Sequence, residues 1–172
     1  GQGISLASLN NALGLNIRQN NEINLTTTIK GKLNNPLIKG EIESNQLVYE
    51  NYTANNIKTD FTYTSRQLTI ENLNFTYDEI DFQGQGALNI DKKFNFSEAV
   101  LDFSLEGEEI NYQKAAQYLD FELPVTGNIE PTIQIAGSFA DIKAEAFITS
   151  DNTEVNYNGN SYQFEQVEAT VT

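Results

Sequence analysis

Two groups of carboxylates are the first side chains in this sequence that could do chemistry. Asp78, Glu79 and Asp81 bracket a turn signal, and Glu106, Glu108 and Glu109 close an alternating run. Glycoside hydrolysis needs two carboxyls facing one another across a cleft, one of them with its pKa raised by burial. These acids fall at turn or wet-face positions, where a solvated surface charge is the ordinary outcome. Calcium would need a loop of the type D-x-[DN]-x-[DN]-G or a glycine–aspartate nonapeptide, and neither occurs. His is absent, which removes the commonest general base and the commonest transition-metal ligand together. Cys is absent too, so there is no thiolate metal site and no disulfide framework. A nucleophilic serine would then rest on a Ser–Lys pair, yet neither S-x-x-K nor G-x-S-x-G is present. Gly84-Gln85-Gly86 is a lone G-x-G inside an alternating run and reads as strand geometry, not as a phosphate cradle. The glycosylation-like triplets at Asn24, Asn51, Asn74 and Asn95 are what an Asn- and Thr-rich chain produces by chance. No catalytic residue, metal or cofactor is expected.

The charge balance narrows the partners. The chain carries 24 acidic against 10 basic residues, a formal net charge of −14. Nucleic acid would be repelled, and direct docking on anionic lipid headgroups is disfavoured for the same reason. No apolar run approaches the roughly 20 residues of a membrane-spanning helix. With no Met at any position, the 172 residues are expected to be one domain cut from a longer protein.

The elements that position these residues are strands. Ile23, Leu25, Thr27, Ile29, Gly31 and Leu33 alternate with Asn24, Thr26, Thr28, Lys30 and Lys32. The scheme returns in Ile80–Ile90, in Leu101–Glu106 and in Ile129–Phe139, each with one dry face and one wet face. Shorter strands are predicted around 37–43, 46–50, 56–63, 67–76, 142–149, 153–157 and 161–171. Turn signals separate them at Asn34-Asn35-Pro36, Ser44-Asn45, Glu50-Asn51, Thr64-Ser65-Arg66, Asp91-Lys92-Lys93, Asp151-Asn152 and Asn158-Gly159-Asn160. The parity of Phe94, Phe96 and Val100 opposes that of Leu101, Phe103 and Leu105, so a bulge or bend is expected near Val100. Glycines on the apolar face (Gly31, Gly84, Gly86, Gly107, Gly137) favour a bent sheet over a flat one. Helical spacing appears in 111–119, with Asn111 as N-cap, and in 5–13, with Ser5 as cap.

Those two helices belong to a longer recurrence. Residues 4–44 match residues 110–150 without a gap, through Leu13/Leu119, Ile23/Ile129, Ile29/Ile135, Gly31/Gly137, Leu33/Phe139, Ile42/Ile148 and Ser44/Ser150. A self-similar unit made mostly of strands implies a repetitive sheet scaffold that presents a surface.

The constellation that remains is the apolar face itself: Ile23, Leu25, Ile29, Leu33, Ile57, Phe61, Leu68, Ile70, Phe75, Ile80, Phe82, Leu88, Ile90, Phe103, Leu105, Ile133, Ile135, Phe139 and Ile148. It could line a closed sandwich or barrel core, or a curved sheet whose dry face stays open as a groove. Periodicity does not separate the two.

A family resemblance does. Ile29–Ile42 (IKGKLNNPLIKGEI) resembles the recurrent phrase G-x-L-x-x-P-x-(I/L)-x-G of the TamB/AsmA-like family (translocation and assembly module). It is followed in the family's usual order by Leu47–Tyr49, Ile57–Tyr63, Leu68–Leu73 and Phe82–Ile90 (FQGQGALNI). A second copy runs over Ile135–Phe147 (IAGSFADIKAEAF), with Asp141-Ile142 where the phrase usually has Pro. The resemblance implies an all-β fold: a curved, mostly antiparallel repetitive sheet forming a taco-like trough with an apolar interior and one or two short capping helices. It implies no enzymatic activity. It implies a periplasmic location in a diderm bacterium, with an inner-membrane anchor outside this segment. The implied partners are phospholipid acyl chains carried between the two membranes or, alternatively, an outer-membrane β-barrel protein assisted by the groove or a sheet edge. Sheet edges left uncovered would let the fragment self-associate.

Overall fold

The computed structural model describes residues 23–32, 35–49, 51–64, 66–90, 99–119, 124–138 and 140–171. Its eleven strands form one open sheet. They are β1 (Ile23–Lys32), β2 (Asn35–Tyr49), β3 (Tyr52–Thr64), β4 (Gln67–Tyr77), β5 (Ile80–Asn89), β6 (Val100–Gly107), β7 (Ile110–Asn111), β8 (Val125–Thr126), β9 (Asn128–Ser138), β10 (Asp141–Tyr157) and β11 (Asn160–Val171). One helix, α1 (Tyr112–Leu119), interrupts them. The main path runs β1-β2-β3-β4-β5-β6-β9-β10-β11; β7 pairs with β9 and β8 with β10. Every pairing is antiparallel, so the alternating runs read from the sequence become a curved open sheet that, among the described residues, ends at β1 and β11. The all-β reading is correct.

Two of the expected turns are not turns. β2 passes straight through Ser44-Asn45, and β10 passes through Asp151-Asn152. At both places the chain makes a local irregularity instead of reversing. Ser44 is buried, and its hydroxyl donates to the Gln46 carbonyl at 2.9 Å. Asn152 takes a left-handed φ of 62°, which Asn tolerates because its short side chain can bond locally. β10 then leaves β9 after Thr149 and meets β8 from Glu154, one residue out of step. The same residue types that favour turns thus supply kinks inside long strands.

Two further kinks lie in mid-sheet. Asn56 and Asn72 have φ of 53° and 51°, and the β3–β4 register slips at Asn55/Lys58 and again at Lys58/Asp60, which restores it. Asn72 also shifts β4 against β5 between Ile70 and Leu73. A bulge exchanges the two faces of a strand. In β4 that exchange keeps Leu68 and Ile70 on the same side as Leu73, Phe75 and Tyr77.

The β9–β10 hairpin repeats the β1–β2 register at an offset of 106 residues. Ile23 pairs with Ser44 as Ile129's strand runs toward Ser150, Leu25 with Ile42 as Pro131 with Ile148, and Gly31 with Pro36 as Gly137 with Ile142. Gly31 and Gly137 both have positive φ. The helix expected over 5–13, the groove residues Leu33 and Phe139, the turn at Asp91-Lys92-Lys93 and the parity change at Phe94 and Phe96 lie outside the described residues.

Candidate hydrophobic groove

Cross-strand register assembles the apolar face in files that run from strand to strand. One file is Ile29, Ile38, Tyr63, Leu68, Leu88, Leu101, Gly137 and Ile142. The next is Thr27, Gly40, Phe61, Ile70, Gly86, Phe103, Ile135 and Ala144. Leu73, Gly84, Leu105, Ile133 and Ala146 form a third, which Leu25 and Ile42 continue on the far side of the bulges. Ile57, Phe75, Phe82 and Ile148 lie one step further along, with Ile23 opposite Ser44. Ile80 pairs with Tyr77 at one margin, and Ile90 leaves β5 at the other, its N–H donating to the Arg66 carbonyl at 2.7 Å. The sheet therefore places every described member of the sequence-derived set on one face. It adds Ile38, Ile42, Tyr63, Leu73, Tyr77 and Leu101, which the sequence list did not include. The parity change between Ile70 and Leu73, with Asn72 between them, was the available signal for Leu73 and Tyr77.

This face is sheltered without being sealed. The buried hydrophobic ones among the described residues are Ile80, Ile90, Ala99, Ile110, Ala115 and Ile129, and no large side chain there is fully buried. Among the described residues, the substantial contacts between elements are those of sheet neighbours and of α1 with β7 and β8. No second sheet packs across the apolar side among the described residues. α1 covers one margin, where Ala115 joins Ile80, Ile110 and Ile129 in a small core backed by Phe82, Tyr112 and Ile148. Asn111 caps the helix as its sequence predicts, its Oδ1 accepting from the Lys114 N–H at 2.7 Å. The Tyr112 hydroxyl lies 3.3 Å from Thr153 Oγ1, itself 2.8 Å from Ser150 Oγ, so buried hydroxyls tie the helix to β10.

The lining is kept low by large side chains lying over glycines of the next strand. A Cβ on Gly84 would fall 2.5 Å from Leu105, and one on Gly107 would fall 2.7 Å from Pro131 and 3.0 Å from Phe82. Phe103 occupies the same position over Gly86. Phe75 and Phe82 stack at 5.3 Å with planes 13° apart.

The opposite face is polar and bears several hollows. One, of about 370 Å³, lies among Thr69, Glu71, Gln85, Asp102 and Ser104. Others of about 230 and 270 Å³ lie by Asn74, Gln83 and Glu106 and by Glu43, Asn56 and Lys58. The Lys58 ammonium bridges Glu41 at 2.7 Å and Glu43 at 3.0 Å. These hydrogen bonds, Glu41's first, hold its pKa above the ordinary lysine value.

The carboxylates singled out in the sequence are scattered on exposed positions. Asp78 and Glu79, with φ of 48° and 64°, make the two-residue turn between β4 and β5. Asp81 accepts from the Thr76 hydroxyl at 2.6 Å, and its own N–H donates to Glu108 at 3.3 Å. Glu109 accepts from the Asn128 amide. Among the described residues no group of three acids is placed to hold a metal ion.

No protein-family model, curated protein or solved structure matches the chain.

Proposed function

We propose that this chain is a non-enzymatic periplasmic conduit whose apolar groove holds lipid acyl chains during phospholipid transport between the inner and outer membranes, as the TamB/AsmA-like resemblance implies. The observation that supports this reading most is the apolar face whose files run across eight strands of the main path, β1–β6, β9 and β10. At about 4.8 Å per strand that face is roughly 34 Å long. A monolayer's hydrocarbon depth is only about 15 Å, half of a typical bilayer core, so an extended acyl chain fits along it. Burying about fifteen methylenes at roughly 0.8 kcal/mol each gives on the order of 12 kcal/mol. Chemically similar steps along the files give a chain little reason to halt at any one of them, and headgroups stay in water.

Protein purified from a phospholipid-containing host without detergent tests this. Native mass spectrometry should show adducts of phospholipid mass, and organic extraction should recover them. Protein that is lipid-free, and that also takes up no phospholipid from vesicles, would overturn the proposal.

A second reading is a chaperone-like module that assists outer-membrane β-barrel insertion through the groove or a sheet edge. It is favoured by the outer edge of β1, which lies at the end of the described sheet. Proline within β1 should abolish that activity and spare lipid uptake.

A further inference from the structure

The recurrence of the hairpin register says what the outer edge of β1, unpaired among the described residues, is built to meet. β9 has neighbours on both sides, β10 on one and β6 on the other. β1 pairs with β2 as β9 pairs with β10, at the constant offset of 106 residues. A strand's direction and the face its side chains take fix the side to which each N–H and C=O points. The outer edge of β1 is therefore the counterpart of the edge that β9 gives to β6.

We infer that the outer edge of β1 accepts, in antiparallel register, a strand of the β6 type: apolar and polar residues alternating, with an acid opposite Lys30. In the β6–β9 ladder Phe103 faces Ile135, Ser104 faces Gln134 and Asp102 faces Ala136. Carried over to β1, those β6 positions fall opposite Ile29, Thr28 and Lys30. Two observations support an incoming strand at this edge. Ile29 is 69% exposed, whereas its counterpart Ile135 is half-buried beside Phe103. Lys30 stands where β9 carries Ala136, which adds a cation opposite the acid position of β6. Opposite charges directly across a ladder stabilise the pair, and like charges oppose it. Apolar overlap at Ile29 and charge at Lys30 together define both the register and the chemistry of the occupant. The inference does not depend on lipid carriage, and the assay contains no lipid.

Because the chain has no Cys, disulfide trapping reads the register directly. The full chain carrying Thr28→Cys is mixed with three synthetic peptides of the Val100–Gly107 sequence, bearing Cys in place of Phe103, Ser104 or Leu105. The Ser104→Cys peptide should form the adduct several-fold faster than the other two, whose thiols point to the opposite face. Thr26→Cys with a Glu106→Cys peptide gives a second site in the same register. Lys30→Glu should slow trapping several-fold, and Asp102→Lys in the peptide should restore it. Equal rates for all three peptides, no adduct at either site, or no rescue by the charge exchange would overturn the inference. Preferential formation of a Thr28→Cys protein dimer would overturn it in favour of self-pairing.

Discussion

Phe61 lies over Gly40, its direct partner across the β2–β3 ladder, so closely that a Cβ on the glycine would sit 2.6 Å from the ring. The ring edge fills the place of the missing side chain. Gly40→Val should therefore destabilise the protein by about 1–3 kcal/mol, the usual penalty for overpacking. The double change Gly40→Val with Phe61→Ala should not recover the loss, because the added Cβ would also lie 2.5 Å from the Thr26 backbone carbonyl oxygen. Urea denaturation of the two variants checks both outcomes.

Asn72 offers a test of the bulge. Its φ of 51° lies in the left-handed region, which a β-branched residue enters only with strain. Asn72→Val should cost about 1–3 kcal/mol, while Asn72→Gly should be nearly neutral. If the valine variant keeps its stability, hydrogen exchange across β4 and β5 should show whether the register has slipped.

Lys58 tests the polar face. Its raised pKa means that its contribution is complete below the ordinary lysine value and fades as the pH climbs through the folded-state value. Lys58→Gln should lower the urea midpoint slightly at neutral pH and low salt. The gap should close at about 1 M salt, where the Debye length is about 3 Å, and in strong alkali. A gap independent of salt would point to packing by the lysine stem instead.

Ile133, opposite both Leu105 and Ala146, lies on the proposed acyl path where it crosses β9. Ile133→Glu should reduce phospholipid uptake from vesicles by at least tenfold, while the same change at Gln134, on the other face, should leave it alone. Circular dichroism separates a blocked groove from a lost fold.

Asn111 holds the first turn of α1 through the Lys114 N–H. Asn111→Ala should cost about 1 kcal/mol, and Asn111→Asp should be tolerated. The loss should appear first as faster hydrogen exchange in α1 and β7.

Period-two alternation made the strands legible, because one wet and one dry face leave the same mark wherever they occur. The capped helix was legible for an equally local reason: Asn111 stands immediately before Tyr112, Ala115 and Ala116 at helical spacing. What misled was asparagine. Ser44-Asn45 and Asp151-Asn152 carry turn chemistry, yet both lie inside strands, because left-handed or hydroxyl-bonded kinks draw on the same residues as reversals. Only the partners across the ladder decide between the two, and they come from distant parts of the chain. Asn56 and Asn72 illustrate this directly: their slips offset one another, and neither would be interpretable without the other.

Among the described residues each long strand touches little beyond the strand on either side. Such an array has no central nucleus whose loss collapses the whole at once. Thermal disorder should begin at the outermost hairpins and advance inward as a front, broadening the melt beyond what a two-state domain of this size would show. Scanning calorimetry would then give a van't Hoff enthalpy well below the calorimetric one.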